Sequence, residues 1–275
     1  MEAADLRWVH GLSVEVGWPH RPEDWRFIMR IGEGFVACDR AERILGCAMW
    51  WPFGPRFATI GMFIVSPRLQ AKGAGRALME AVLEAARGRS LRLNATASGY
   101  RLYESYDFKP DGRVFQHQGT AKAILADEPA ASGWSVRPAS RADRAKIAAL
   151  DAAAYGADRT KMLDALAESS TGMICERGGA AVGFSLCRPF GRGHAVGPIV
   201  AEDDAMAVAL TAPHVRAHGG TFLRVDTAFG DGGFAAYLED AGLVRAAHVT
   251  TMARGPEPEI SGPARIFGAV NQALG

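Results

Sequence analysis

The chain has 275 residues, 48% of them apolar and 22% charged, with a formal net charge of +1. That balance excludes a disordered chain and gives no electrostatic basis for binding nucleic acid or an anionic membrane. No apolar run approaches the roughly 20 residues of a membrane helix, and Met1 to Arg7 does not read as a signal peptide, so a cytoplasmic protein with room for two domains is expected.

In chain order, residues 6–9 read as a first strand, and Pro22 to Arg30 as a helix with proline near its start. Gly34 to Cys38 and Ile44 to Trp51 read as two strands around the polar turn of residues 39–43. Ile60 to Val65 is a short apolar run that turns at Ser66-Pro67 into a glycine-bearing loop, Gln70-Ala71-Lys72-Gly73-Ala74-Gly75. Arg76 to Arg87 follows, with Leu78, Met79, Val82 and Leu83 spaced as one helix face. Leu91 to Thr96 reads as a strand, Tyr100 to Phe108 as a helix, and Arg113 to Gln118 as a last strand. Residues 120–133, rich in small residues and containing Pro129, suit a linker, and Trp134 to Ser140 restarts with a strand. The four cysteines (Cys38, Cys47, Cys175, Cys187) form no Cys-x-x-Cys and sit in apolar surroundings, the pattern of free buried thiols.

Strand, glycine loop and helix at residues 60–87 form a phosphate-binding arrangement. The first turn of the helix presents unpaired N–H groups, its dipole adds partial positive charge, and Lys72 and Arg76 add more. The loop is not a Walker loop, which needs Gly-Lys-Ser/Thr, and a dinucleotide loop would want a third glycine where Leu78 stands. Gln70-x-x-Gly73-x-Gly75 instead resembles the Gln/Arg-x-x-Gly-x-Gly/Ala loop of the GNAT N-acetyltransferase superfamily. Downstream, Leu102-Tyr103-Glu104 and Phe108 resemble the superfamily's Leu-Tyr-Glu-x-x-Gly-Phe helix, with Asp107 in place of the usual glycine. Aspartate ends a helix in a left-handed turn less easily than glycine, but does so.

The second half repeats the first. Cys38-Asp39-Arg40 recurs as Cys175-Glu176-Arg177, Gly46 as Gly183, and Pro52-Phe53-Gly54 as Pro189-Phe190-Gly191, all at the same offset of 137 positions. Gly197 to Val200 replaces the central strand, Leu223 to Asp226 the Leu91 strand, and Phe234 to Ala241 the Tyr103 helix. The resemblance therefore implies an α/β fold (α+β mixed sheet) of two tandem GNAT-like domains, residues 1–130 and 131–275. Each has a mixed, mostly antiparallel central sheet flanked by helices. In the second copy Glu202, Asp203 and Asp204 stand where the glycine loop would be, and Leu238 falls opposite Tyr103. Carboxylates there repel a pyrophosphate, so that copy is expected to be degenerate, structural or acceptor-binding. The apolar tail, residues 261–274, is expected to pack on it.

The resemblance implies acetyl-CoA as the cofactor. Its pantetheine would pair with the backbone of Phe63, Ile64 and Val65. Its phosphates would meet the amides of Gln70, Ala71, Lys72, Gly73, Ala74, Gly75, Arg76 and Ala77, and Tyr103 would protonate the departing thiolate. Some family members carry a glutamate base four residues before the Phe63 position; here Thr59 stands there. His117, Glu33 or a water chain are the alternatives for the base. Trp25, Trp50, Trp51 and Phe53 lie on segments bordering the acceptor side in this fold, either as an aromatic wall or as core. Trp50 and Trp51 adjoin, so only one is expected to face the pocket. The expected activity is direct acetyl transfer to a small-molecule primary amine in a ternary complex, by a monomer or homodimer. The alternatives are a protein lysine or N-terminal acetyltransferase and a non-catalytic acyl-CoA sensor.

Overall fold

The computed structural model describes residues 1–66, 73–122 and 133–275. Helical periodicity governs the start of the chain. α1 (Leu6–Glu15) buries Val9, Leu12 and Ser13 on one face, which corrects the strand expected at residues 6–9. Four residues are too few to separate the two periods, whereas the spacing from Val9 to Leu12 and Ser13 is helical. α2 (Pro22–Ile31) opens on proline, and the Arg21 N–H donates to the Asp24 carboxylate at 2.8 Å.

β1 (Glu33–Cys38), β2 (Ile44–Phe53) and β3 (Phe57–Val65) form an antiparallel meander. α3 (Ala74–Ala85) then carries the chain to β4 (Ser90–Ala95), which is parallel to β3 as a helical crossover permits. α4 (Tyr100–Glu104) is shorter than the span expected at 100–108. The chain leaves it through Asp107, whose φ of 64° is the left-handed turn anticipated at that position. β5 (Lys109–Thr120) follows.

The second half begins with β6 (Ser135–Pro138), α5 (Arg144–Tyr155) and α6 (Thr160–Leu166). It then repeats the order of β1 to β5 as β7 (Thr171–Arg177), β8 (Ala180–Phe190), β9 (Gly193–Ala201), α7 (Asp204–Ala217), β10 (Phe222–Thr227), α8 (Gly233–Asp240) and β11 (Val244–Arg254), before β12 (Arg265–Gly268). Among the described residues no helix is long and apolar enough to cross a membrane.

Two compact units form, and each borrows a strand. Unit 1 holds Met1–Asp111, Thr250–Glu257 and Leu274; unit 2 holds Gly112–Val249, Pro258–Ala273 and Gly275. In unit 1 the sheet order is β1-β2-β3-β4, and β4 is completed by the end of β11, from Thr250 opposite Ala95 to Arg254 opposite Leu91. In unit 2 the order is β6-β7-β8-β9-β10-β5, with Phe222 to Thr227 of β10 opposite Thr120 to Phe115 of β5. The last strand of the first half thus forms as expected, but it pairs with β10. The unit 1 core packs Trp50, Ile60, Leu78, Met79, Val82, Leu93 and Phe108 with Met252 of β11. Fully burying each such side chain contributes about 1.5–3 kcal/mol, so β11 is held by its core residue as well as by its ladder.

Candidate active site

The site of unit 1 starts from a divergence of strands. β3 and β4 pair from Phe57 opposite Ser90 to Ile60 opposite Leu93, and the ladder stops there. β3 runs on to Val65 against β2, and β4 runs on to Ala95 against β11. The β4-facing edge of Gly61 to Val65 is therefore left without a strand partner among the described residues. Within that stretch the β2–β3 register slips between Cys47 and Met49, and Met62 takes a φ of 48°. A left-handed methionine costs about 1–2 kcal/mol. The slip re-aims the strand, so that Phe63 and Val65 both pack against the core beneath α3. The Met62 carbonyl accepts the Cys47 thiol at 3.3 Å.

At the end of the cleft lies the start of α3. Gly73 is its N-cap with a φ of 83°, a conformation that favours glycine, and its carbonyl accepts the Ala77 N–H at 3.0 Å. The amides of the first turn have no intrahelical acceptors and face outward with the positive end of the helix dipole. A Cβ on Gly75 would lie 3.5 Å from Leu102 and 4.0 Å from both Phe63 and Val65, so the helix start presses on the end of β3 and on α4. Gly73, Ala74, Gly75 and Arg76 thus present their amides at that end, with Arg76 exposed, whereas the Ala77 N–H expected to join them is taken up by the Gly73 carbonyl. Gln70, Ala71 and Lys72 lie outside the described residues.

Tyr103 completes the group. Its ring meets Phe63 edge-on at 5.8 Å and Phe108 at 6.3 Å, and it is 7% exposed. α4 is tied to α3 by the Tyr106 hydroxyl, which donates to Glu80 at 3.0 Å. Burial pushes the Tyr103 phenol well above its usual pKa, so it stays protonated at any working pH. Its hydroxyl has no hydrogen-bond partner among the described residues. The strand end, the helix start and a protonated phenol therefore converge.

Other expected site residues lie elsewhere. Trp25 and Trp51 are fully buried, and Trp50 and Phe53 nearly so. Trp25 Nε1 donates to Ser13 Oγ at 3.0 Å, and Trp51 Nε1 donates to the Ile28 carbonyl at 3.0 Å. Helices cover both faces of β2, so its alternation buries both tryptophans where one was expected to face a pocket. His117 is fully buried in unit 2 with Nδ1 3.1 Å from the Leu243 carbonyl, which fixes the proton on that nitrogen. Glu33 is exposed on β1, and Cys38 is exposed where a buried thiol was expected. Met62 was invisible to sequence reasoning, because a bulge leaves no residue signature beyond the neighbouring Gly61.

Unit 2 builds the same divergence and fills it. Its β9–β10 ladder has two pairs, Leu223 opposite His194 and Arg224 opposite Ala195. Beyond them β12 enters, pairing Arg265 to Gly268 with Ala201 to Ile199 of β9. The Ala269 N–H then donates to the Asp226 carbonyl of β10 at 2.7 Å. The chain's own tail therefore makes the backbone contacts that the corresponding edge of β3 leaves open. The start of α7 is also satisfied internally. Asp203 accepts from the Met206 N–H at 2.8 Å, Asp204 from the Gly233 N–H at 2.6 Å, and Glu202 pairs with Arg177.

Comparison with known proteins gives the family. An acetyltransferase (GNAT) domain model matches residues 31–110, and a second GNAT acetyltransferase model matches residues 147–268. YitH of Bacillus subtilis (strain 168), described as an uncharacterized N-acetyltransferase, is 27% identical over 203 residues, which are 72% of this chain and 71% of that protein. Among solved structures, a putative acetyltransferase from Pyrococcus horikoshii superposes with a TM-score of 0.79 at 17% identity, over 99% of this chain and 93% of that one. A tandem GNAT protein from the clavulanic acid biosynthesis pathway gives a TM-score of 0.60 at 14% identity, over 91% and 95%. At these identities the two structures speak to fold alone, but the two domain models fall on the two repeats found in the sequence. The chain belongs to the GNAT acetyltransferase family, as a member with two copies of the domain in tandem.

Proposed function

We propose that the chain is an N-acetyltransferase that moves an acetyl group from acetyl-CoA to a primary amine of a small molecule, with the chemistry in unit 1. The observation that carries this reading is the convergence of Tyr103, the open edge of β3 and the start of α3. Acetyl-CoA supplies the acetyl group as an activated thioester. The amides of residues 73–76 and the Arg76 charge suit its pyrophosphate, and the edge of Gly61 to Val65 offers a strand's hydrogen bonds to its pantetheine. A backbone N–H of that edge also faces the place where a carbonyl oxygen would gain charge, a contribution that is often the largest in acyl transfer. Tyr103 holds a proton at Oη for the leaving sulfur.

Unit 2 is proposed as a structural partner without a cofactor site, since β12 and three carboxylates occupy the matching positions. The test is a screen of primary amines with acetyl-CoA, reading thiol release, alongside calorimetric titration of acetyl-CoA. One cofactor per chain and amine-dependent thiol release are expected. Two sites of equal affinity would overturn the assignment of unit 2. Binding without turnover on any amine would make the chain a sensor.

A further inference from the structure

This inference rests on the acetyltransferase reading and concerns the backbone donor that meets the reacting carbonyl. The β2–β3 register passes from Met49 opposite Gly61 to Cys47 opposite Ile64. It skips Ala48 on β2 and both Met62 and Phe63 on β3. The β3–β4 ladder has already ended at Ile60, so Phe63 has no register partner on either neighbouring strand. Its ring meets Tyr103 edge-on at 5.8 Å, which sets its main chain beside the phenol.

The peptide joining Met62 to Phe63 is held by a side chain of β2. Cys47 Sγ donates to the Met62 carbonyl at 3.3 Å, at the place where the slip interrupts the ladder. Ala48 joins the core beneath α3 and Cys47 does not, so the sulfur lies on the opposite face of the sheet. In a planar trans peptide, the C=O and the N–H that follows it point in opposite directions. The Met62 carbonyl points at the sulfur. The Phe63 N–H therefore points away from it, toward the side that holds α3 and Tyr103. Met62 at a φ of 48° is not in a relaxed conformation, so this plane persists only where its surroundings hold it. The thiol is fully buried, and burial pushes its pKa up to about 12, so it stays a protonated donor at working pH.

We infer that Cys47 is a positioning residue. Its thiol fixes the Met62–Phe63 peptide plane, and that plane aims the Phe63 N–H at the oxygen that gains charge during acyl transfer. The thiol takes no part in the bond changes and acts through the backbone.

The experiment compares Cys47→Ala, which removes the donor, and Cys47→Ser, which keeps one, with wild type. Thiol release from acetyl-CoA is followed with the best amine of the screen and with hydroxylamine, because the oxyanion forms whichever nucleophile attacks. Deleting an oxyanion donor outright costs about 10²–10³ in kcat; here the donor stays but is loosely aimed, so alanine should lower kcat by about tenfold with both nucleophiles. Serine should recover most of that loss. CoA itself has no acyl carbonyl, so its affinity by calorimetry should stay near wild type in both variants, which a general loosening of the β3 edge would not allow. An unchanged kcat in Cys47→Ala, a loss matched by weaker CoA binding, or serine no better than alanine would overturn the proposal and leave the enzyme reading intact. A wild type that releases thiol with neither nucleophile would overturn the enzyme reading itself.

Discussion

Replacing Tyr103 with phenylalanine separates a proton donor from a core aromatic. The ring contacts with Phe63 at 5.8 Å and Phe108 at 6.3 Å survive the change, because both are made by the ring. The hydroxyl has no partner among the described residues, so none of those is left unsatisfied, and the variant should unfold within about 0.5 kcal/mol of wild type. A general acid contributes typically about 10²–10⁴-fold, and solvent replaces part of it in a variant, so kcat should fall by about 10–100-fold, or roughly 1.4–2.7 kcal/mol of transition-state stabilisation. The KM for acetyl-CoA should hold, since the loss belongs to the transition state. Burial keeps the phenol protonated across the accessible range, so the deficit should be the same at every pH assayed. The assay is steady-state thiol release at saturating acetyl-CoA, with a single-turnover measurement to show that chemistry limits the rate. An unchanged kcat under those conditions would return Tyr103 to the core.

The start of α3 offers a paired test at residue 75. Gly75→Ala places its Cβ in ordinary contact with Leu102, at 3.5 Å, and should bind acetyl-CoA normally. Gly75→Glu puts a carboxylate where the pyrophosphate is expected and should abolish calorimetric binding with the fold intact; normal binding would refute the assignment. In unit 2, a Cβ at Gly197 would sit 1.9 Å from the Ala269 carbonyl oxygen. Gly197→Ala must therefore push β12 away, at a cost of about 1–3 kcal/mol. Hydrogen exchange should quicken at residues 265–269, and unaltered protection there would contradict the placement of β12. His214 provides a pH test. Ser185 Oγ donates to the Leu210 carbonyl, so His214 Nε2 must donate to Ser185 at 3.0 Å, and burial lowers the His214 pKa from 6.5 to about 4. The unfolded chain then binds a proton that the folded one refuses, so stability is full above pH 6.5 and falls toward pH 4, by at most about 3 kcal/mol. His214→Gln should flatten that slope in urea titrations at pH 7 and pH 4.5, and an equal slope in both proteins would sink the reading.

The parts of the site that sequence reached are those encoded within one continuous stretch. The glycine pair at 73 and 75, the Tyr103 helix and the left-handed Asp107 all lie between residues 60 and 108, and each has a local chemical reason that survives folding. The offset of 137 positions was legible for the same reason. Pairing choice was not legible. β5 read as an ordinary strand, and nothing in its periodicity says which β4-like edge it will join; the strand at Val244–Arg254 was not read at all. That both adjoining tryptophans are buried was not legible, because alternation assigns faces but not what covers them, and α1 and α2 bury the face that holds Trp51. The tail was read correctly as apolar, yet its role as the strand between β9 and β10 depends on a gap that exists only in three dimensions.

The borrowed strand sets a clock for the newborn chain. Residues 33–95 can draw together β1 to β4 early, but the free edge of β4 meets its partner only when residues 250–254 have been made. At about 5–20 residues per second, the 159 residues from 95 to 254 take roughly 8–32 s to synthesise. During that interval an unpaired edge containing Leu91, Leu93 and Ala95 is presented to whatever surrounds the ribosome, the kind of edge on which chains pair wrongly with one another. Expression yield should therefore respond to translation speed across the second half more than to the stability of the finished protein. Synonymous changes that quicken elongation between codons 120 and 254 should raise the soluble fraction, although every residue of unit 1 before β5 is already in place.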